Sequence, residues 1–398
     1  MSSATPKYNP RLLGLGLLAG VALGTLGVAW VNTRQRQYAR YGAPNLIDWG
    51  RAGSIARQII KEEEAAPGWH ESWQEYYRGM VARCYPVITE EIGRELPVPV
   101  DSIQAFTRNE WIDANIANFK LLFEPIEALY NRVQSANSLG AVLMSDLNQV
   151  VLSGELGVLL GYLARRVLGQ YDLSLLGKEP VTPGRLYFVE PNIAAVQNEL
   201  GLDADDFRLW IALHETTHAY EFEAYPWVRE YFNSLLEEYF TYLSDDMTTF
   251  SSGLGGLKSL VDRARANLNN GDSWIEMVMS PEQRTLFYKL QALMSIIEGY
   301  SNYIMNAVGE RLLPTYGTIK EQFEQRAARR STAEKLFIRI TGLALKMEQY
   351  RLGENFISAV VAERGISTAN RVWEGPDMLP TLEELRNPAA WINRNFGF

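Results

Sequence analysis

Leu213-His-Glu-Thr-Thr-His-Ala219 contains two of the three histidines in a chain of 398 residues, set four positions apart with a glutamate after the first. On a helix, residues four apart share one face, so His214 and His218 can reach a single cation while Glu215 points at a water beside it. With histidine this rare, His-Glu-x-x-His arises by chance with a probability on the order of 10⁻³. The stretch predicts a helix carrying a hydrolytic zinc site. His214 and His218 are the expected ligands of a Zn²⁺ cofactor. Glu215 is the expected general base, taking a proton from the zinc-activated water and passing it to a leaving nitrogen.

A hydrolytic zinc takes three protein ligands and keeps one position open. His70, after Gly68-Trp69, sits at an expected helix start and reads as structural or capping. Cys84, the single cysteine, excludes an intramolecular disulfide or a thiolate cluster and reads as a small buried apolar residue. The third ligand is then a carboxylate. Glu221 lies about 10 Å along the axis from His214, too far to share the metal, so the ligand must come from another element. Glu298, in Met294-Ser-Ile-Ile-Glu-Gly-Tyr-Ser-Asn-Tyr-Ile-Met305, interrupts an apolar face made by Ile297, Ile304 and Met305. A carboxylate there is costly to bury unless paired or metal-bound. Glu237, Glu238, Asp245 and Asp246 compete from what reads as a solvated helix face and its end. Asn302, one turn beyond Glu298, is the candidate to accept a hydrogen bond from a ligating imidazole. Tyr300, Tyr303 and Tyr350 are candidate oxyanion donors.

Outward from the motif, Asp205 or Asp206 is the expected cap of its helix and Pro226 the expected stop. Leu46–Glu64, Trp73–Leu96 and Trp111–Ala136 repeat apolar residues at helical spacing, with Pro86 and Pro125 expected to kink or divide two of them. Val150–Leu168 is very apolar but holds Glu155, Arg165 and Arg166, which predicts a core helix close-packed at Gly154, Gly157 and Gly161. Arg185-Leu-Tyr-Phe-Val189, between Pro183-Gly184 and Pro191-Asn192, is the one segment that reads as a strand. Its edge is expected to pair with an extended peptide. Ser251–Gly271 reads as a surface loop. The fold class is mainly α with a minor β element.

Composition sets the class: 47% hydrophobic and 11% aromatic residues suffice for a sizeable core. A net charge of −9 without a basic block argues against nucleic acid as a partner. Leu12–Val31 is twenty residues without a charge, flanked by Lys7 and Arg11 and by Arg34, Arg36 and Arg40. That length crosses a bilayer, and no small-x-small cleavage site follows it cleanly. The expected organisation is a tail at 1–11, a single-pass transmembrane anchor at 12–31 in the cell membrane, a linker at 32–45 and a metallopeptidase body at 46–398. Both flanks are positive, so the side occupied by the body stays open. Gly16, Gly20 and Gly24 form a small-residue stripe on which a homo-oligomer could pack.

His214-Glu-Thr-Thr-His218, Pro226-Trp227, Glu298-Gly and Asn306-Ala-Val-Gly309 together resemble the zincin-like metallopeptidase family, found mostly in actinobacteria and relatives. Many of its members carry only a label of association with deazaflavin-cofactor biosynthesis. The likeness extends to Trp111-Ile-Asp-Ala-Asn115, Leu168-Gly-Gln-Tyr-Asp172, Lys346-Met-Glu-Gln-Tyr350 and Leu379-Pro-Thr381, covering Leu46 to Trp391. It implies a mostly helical zincin with His214 and His218 as ligands, Glu215 as base and a downstream Glu as third ligand. Relatives tend to show Glu-Gly-His-x-Asp where this chain has Glu298-Gly-Tyr300-Ser-Asn302. A neutral Asn cannot raise imidazole basicity as Asp does, which implies weaker zinc binding or turnover. The rival to a peptidase acting on a peptide or protein substrate is therefore a catalytically weak or inactive zinc-containing scaffold at the membrane. A helical di-iron site would need a second Glu-x-x-His pair, and the chain has none.

Overall fold

The computed structural model describes residues 45–62, 64–100, 102–133, 139–171, 185–250, 279–328 and 343–397. The expected tail, the anchor at 12–31, all but the last residue of the linker, and Ser251–Gly271 lie outside the described residues. Among the described residues no helix is long and apolar enough to cross a membrane.

Helices dominate, as the periodicity predicts. α1 (Trp49–Ile60), α2 (Trp69–Ile92) and α3 (Arg108–Val133) cover the three periodic segments, and neither Pro86 nor Pro125 divides its helix. They are followed by α4 (Leu139–Ala164), α5 (Glu190–Leu200), the motif helix α6 (Ala204–Glu223) and α7 (Trp227–Phe250). α8 (Pro281–Leu312), α9 (Tyr316–Ala328) and α10 (Leu343–Arg364) come next, and short helices between Ile366 and Phe396 close the chain.

Three strands, β1 (Ser102–Phe106), β2 (Gly169–Tyr171) and β3 (Arg185–Val189), form one sheet in the order β1-β3-β2. β1 runs parallel to β3 from Ser102↔Arg185 to Phe106↔Val189, and β2 runs antiparallel to it, with Gly169 opposite Phe188. The expected edge of β3 is therefore corrected: both of its sides are hydrogen-bonded within the sheet, and the outer edge beside α6 belongs to β2. Both faces of the sheet are covered, which is why β3 reads as a continuous apolar run. Leu186 and Phe188 join the main core with Ile103, Ala105, Tyr77 and Leu213. Val189 joins a second cluster with Trp49, Trp111, Ile112 and Leu160.

Three local expectations also change. The cap of α6 is Asp203, whose carboxylate accepts from the amides of Asp205 and Asp206 at 3.0 and 2.9 Å. The helix thus starts earlier, and the two later acids fill its first turn, where negative charge is favoured. Pro226 follows the end of α6 at Glu223 as expected. In α4, Gly157 fits closely, since a Cβ there would stand 2.7 Å from the Ala52 carbonyl oxygen; Gly154 faces open space. Val150, Val151, Leu152 and Val158 are exposed, so α4 is a core helix on one face only.

α8 and α10 meet backbone to backbone. A Cβ on Gly299 would overlap the backbone of Gly353 and Glu354, and one on Gly353 would overlap the Ser295 carbonyl. Asn306 Nδ2 donates to Glu354 Oε1 at 2.8 Å, and Gly309 leaves room for the Tyr316 ring. These contacts set α8 at the height where Glu298 faces α6.

Candidate metal centre

His214 Nε2 and His218 Nε2 lie 3.2 Å apart, and Glu298 Oε2 lies 3.8 Å from the first and 3.7 Å from the second. Tetrahedral ligand atoms about 2.0–2.1 Å from a zinc ion stand about 3.3 Å from one another. The observed triangle departs from that by a few tenths of an ångström, and two imidazoles with a carboxylate are a donor set suited to zinc. His218 and Glu298 are buried and His214 half-buried. This is the one such group of three among the described residues.

The hydrogen bonds behind the triangle orient its imidazoles. His218 Nδ1 is 2.7 Å from Glu221 Oε2 and 3.1 Å from Ser301 Oγ, and Ser301 Oγ donates to Glu221 Oε1 at 3.0 Å. A carboxylate on Nδ1 keeps the proton there and leaves Nε2 facing the site. The role expected of Asn302 is thus filled by Glu221 and Ser301, while Asn302 lines the cavity wall. Glu221 is too far along α6 to ligate, but three residues from His218 it is a neighbour on the same face. Ser301 carries no signal in the sequence that would mark it. On the other imidazole, His214 Nδ1 lies 3.0 Å from Met305 Sδ.

Burial opposes charge on His218, but Glu221, with Glu298 and Glu215, outweighs it and raises the pKa to about 9. Burial pushes Glu221 up to about 7 against the pull of His218 and Ser301. Glu215 is also buried, and β2 passes directly over its carboxylate. A Cβ on Gly169 would stand 2.7 Å from Glu215 Cγ and Oε1, so a side chain there would push the Glu215 carboxylate from this position.

A cavity of about 680 Å³ opens over the triangle, walled by Trp210, Phe222, Phe323, Trp111, Asn115 and Gln170 among others. Trp111 Nε1 donates to Gln170 Oε1 at 3.1 Å, tying the wall of α3 to β2. None of the expected tyrosine donors lines it among the described side chains. Tyr300 is buried with its hydroxyl donating to Asn370 Oδ1 at 2.7 Å and its ring edge-on to Trp373. Burial holds its phenol well above the usual range. Tyr303 packs against the main core, its pKa raised by burial and by Glu91 of α2. At about 100° per residue, Glu298 and Asn302 share the cavity face of α8, while Tyr300 is turned to the opposite one. The Tyr350 side chain lies outside the described residues, as do those of Asp245 and Asp246. Glu237 and Glu238 are exposed on α7, away from the triangle.

The remaining candidates are structural, as their sequence contexts suggest. His70 Nε2 bonds Glu110 Oε1 at 2.8 Å. Cys84 is fully buried with Sγ donating to the Met80 carbonyl at 3.3 Å, and burial pushes its thiol up to about 12.

Comparison with known proteins agrees with this geometry. The profile of a family described as zincin-like metallopeptidase matches residues 47–392. A solved structure, described as a provisionally assigned hydrolase with a novel fold from Chloroflexus aurantiacus, is 44% identical with a TM-score of 0.64. The match covers 88% of this chain and 98% of that one. No curated protein matches.

Proposed function

The chain belongs to the zincin-like metallopeptidase family, and on that basis we propose that it is a membrane-anchored, zinc-dependent peptidase acting on peptide or protein substrates. The observation that carries the reading is the triangle of His214 Nε2, His218 Nε2 and Glu298 Oε2 with Glu215 beside it on the same cavity. His214, His218 and Glu298 would hold zinc there, and the ion would supply Lewis acidity, lowering the pKa of a water molecule to about 7.

The rest is done by the chain's own side chains. Glu215, which lines the cavity beside the triangle, is the side chain placed to take a proton from an attacking water and deliver it to the leaving nitrogen. Glu221 and Ser301 hold the His218 ring in one tautomer. The backbone of β2, at the sheet's outer edge among the described residues, is positioned to hydrogen-bond an extended substrate. Leu12–Val31 is read as the anchor that keeps this body at the cell membrane, and the stripe Gly16, Gly20 and Gly24 as a contact between anchors.

The ground for an inactive scaffold was the neutral Asn302, and Glu221 supplies the carboxylate that position lacks, which favours the catalytic reading. Peptide hydrolysis and metal content of purified wild type and Glu215→Gln test it. We expect one zinc per chain in both and a loss of turnover of about 10²–10⁴-fold in the variant. Equal hydrolysis by the two would remove the peptidase reading.

A further inference from the structure

Trp210, His214, His218 and Phe222 follow one another at four-residue intervals along α6, and all four line the cavity. Steps of four keep side chains near one helix face, and twelve residues span about 18 Å of axis. Each imidazole of the triangle therefore has an aromatic ring one turn to its outer side. On the His214 side, Phe323 of α9 packs on Trp210 with ring centroids 4.7 Å apart. Met305, against His214 Nδ1, lines the cavity there as well. On the His218 side, Tyr171 of β2 stacks on Phe222 with centroids 5.5 Å apart and planes 8° from parallel. Outside the metal centre, Arg166 is the one charged side chain in the cavity wall among the described residues. Asn115, Gln170 and Asn302 supply neutral polar groups.

We propose that the cavity selects extended peptides with bulky apolar side chains on both sides of the bond to be cut. One side chain seats against Trp210 and Phe323 and the other against Phe222 and Tyr171. Aromatic walls reward large apolar groups in proportion to the area they remove from water. A charged side chain seated against these rings sheds its water without gaining a partner from them. The reaction is hydrolysis alone: the amide C–N bond breaks, the carbonyl carbon gains the hydroxyl of water and the nitrogen gains its proton. The selection rests on the peptidase reading above.

The test is digestion of a randomised peptide mixture by the zinc-loaded full chain, with cleavage sites read by mass spectrometry, alongside Glu215→Gln, Trp210→Ala and Phe222→Leu. We expect wild type to cut between large apolar residues, with kcat/KM at least tenfold above peptides carrying Ala or Asp at either position. Each cavity variant, checked for retained zinc, relaxes the preference on one side of the bond only. Cleavage flanked mainly by small or charged residues would overturn the two-lobe assignment while leaving the peptidase reading intact. So would loss of preference on both sides in either zinc-retaining variant. Hydrolysis no greater than that of Glu215→Gln would overturn the peptidase reading itself.

Discussion

Glu221 stands seven residues after His214 but three after His218, and the second interval sets its role. It cannot reach the triangle as a ligand, yet it holds His218 Nδ1 at 2.7 Å. A pH dependence follows. In the metal-free protein, burial opposes the His218 proton but Glu221 outweighs it, raising the pKa from 6.5 to about 9. A raised folded pKa means that the folded chain keeps a proton the unfolded chain releases. That stabilisation is complete below about 6.5 and is lost as pH climbs through about 9. Glu221, raised by burial from 4.5 to about 7, has the same sign over its own window. Zinc requires His218 Nε2 unprotonated, so its binding releases the proton and strengthens with pH. Thermal unfolding with chelator is expected to show Tm falling between pH 6.5 and about 9, while the rise in Tm on adding zinc grows over the same window. A zinc increment that shrinks as pH rises would contradict the assignment. At this scale His214, Glu215 and His218 were legible because helical spacing is local, whereas the sequence only excluded Glu221 as a ligand. The direction of Tyr300 was not, since it depends on which face of α8 meets α6 and which meets Trp373.

At the scale of elements, the site is an encounter between α6 and α8, and the height of α8 is set by its contact with α10 at Gly299 and Gly353. Gly353→Ala places a methyl group against the Ser295 carbonyl, which must move because a backbone atom cannot rotate aside. We expect a loss of about 3 kcal/mol in urea unfolding and a zinc affinity at least tenfold weaker, because Glu298 shifts with its helix. Wild-type midpoint and affinity in that variant would show that the contact does not position the ligand. The helices were legible from apolar spacing and proline punctuation, but not the faces of α6 and α8. Both are buried on most sides, from Phe207 to Phe222 and from Ala292 to Gly309, so no single polar stripe marks their orientation. β1 and β2 were not legible either. Ser102-Ile-Gln-Ala-Phe106 carries mixed polarity and Gly169-Gln-Tyr171 is only three residues long; pairing with β3 makes them strands.

For the whole molecule, two apolar clusters clasp a small sheet, and the metal centre lies where β2, α6 and α8 converge on one cavity. Asn45 is tied to α4 by the bond from Gln149 Nε2 to its carbonyl at 2.7 Å, so the chain enters the body at that helix. The uncharged run Leu12–Val31 lies ahead of that point. If it anchors the protein, carbonate extraction of membranes leaves the full chain in the pellet and releases a variant lacking residues 1–44. Release of the full chain by carbonate would remove the anchor. The sequence by itself determined the histidine pair, its glutamate and a mainly helical body, because four-residue spacing and apolar periodicity are properties of a single helix. It also singled out Glu298, because a carboxylate within an apolar face needs a partner. Only the tertiary structure decided that Glu221 and Ser301 orient His218, that β2 rather than β3 presents the sheet edge, and that Trp210 and Phe222 flank the imidazoles within one cavity. Spacing along α6 already put Glu221, Trp210 and Phe222 near the imidazoles. The bond from Ser301, the place of β2 and the walls that close the cavity depend instead on distances between elements remote in the chain, and packing of the whole core sets those distances.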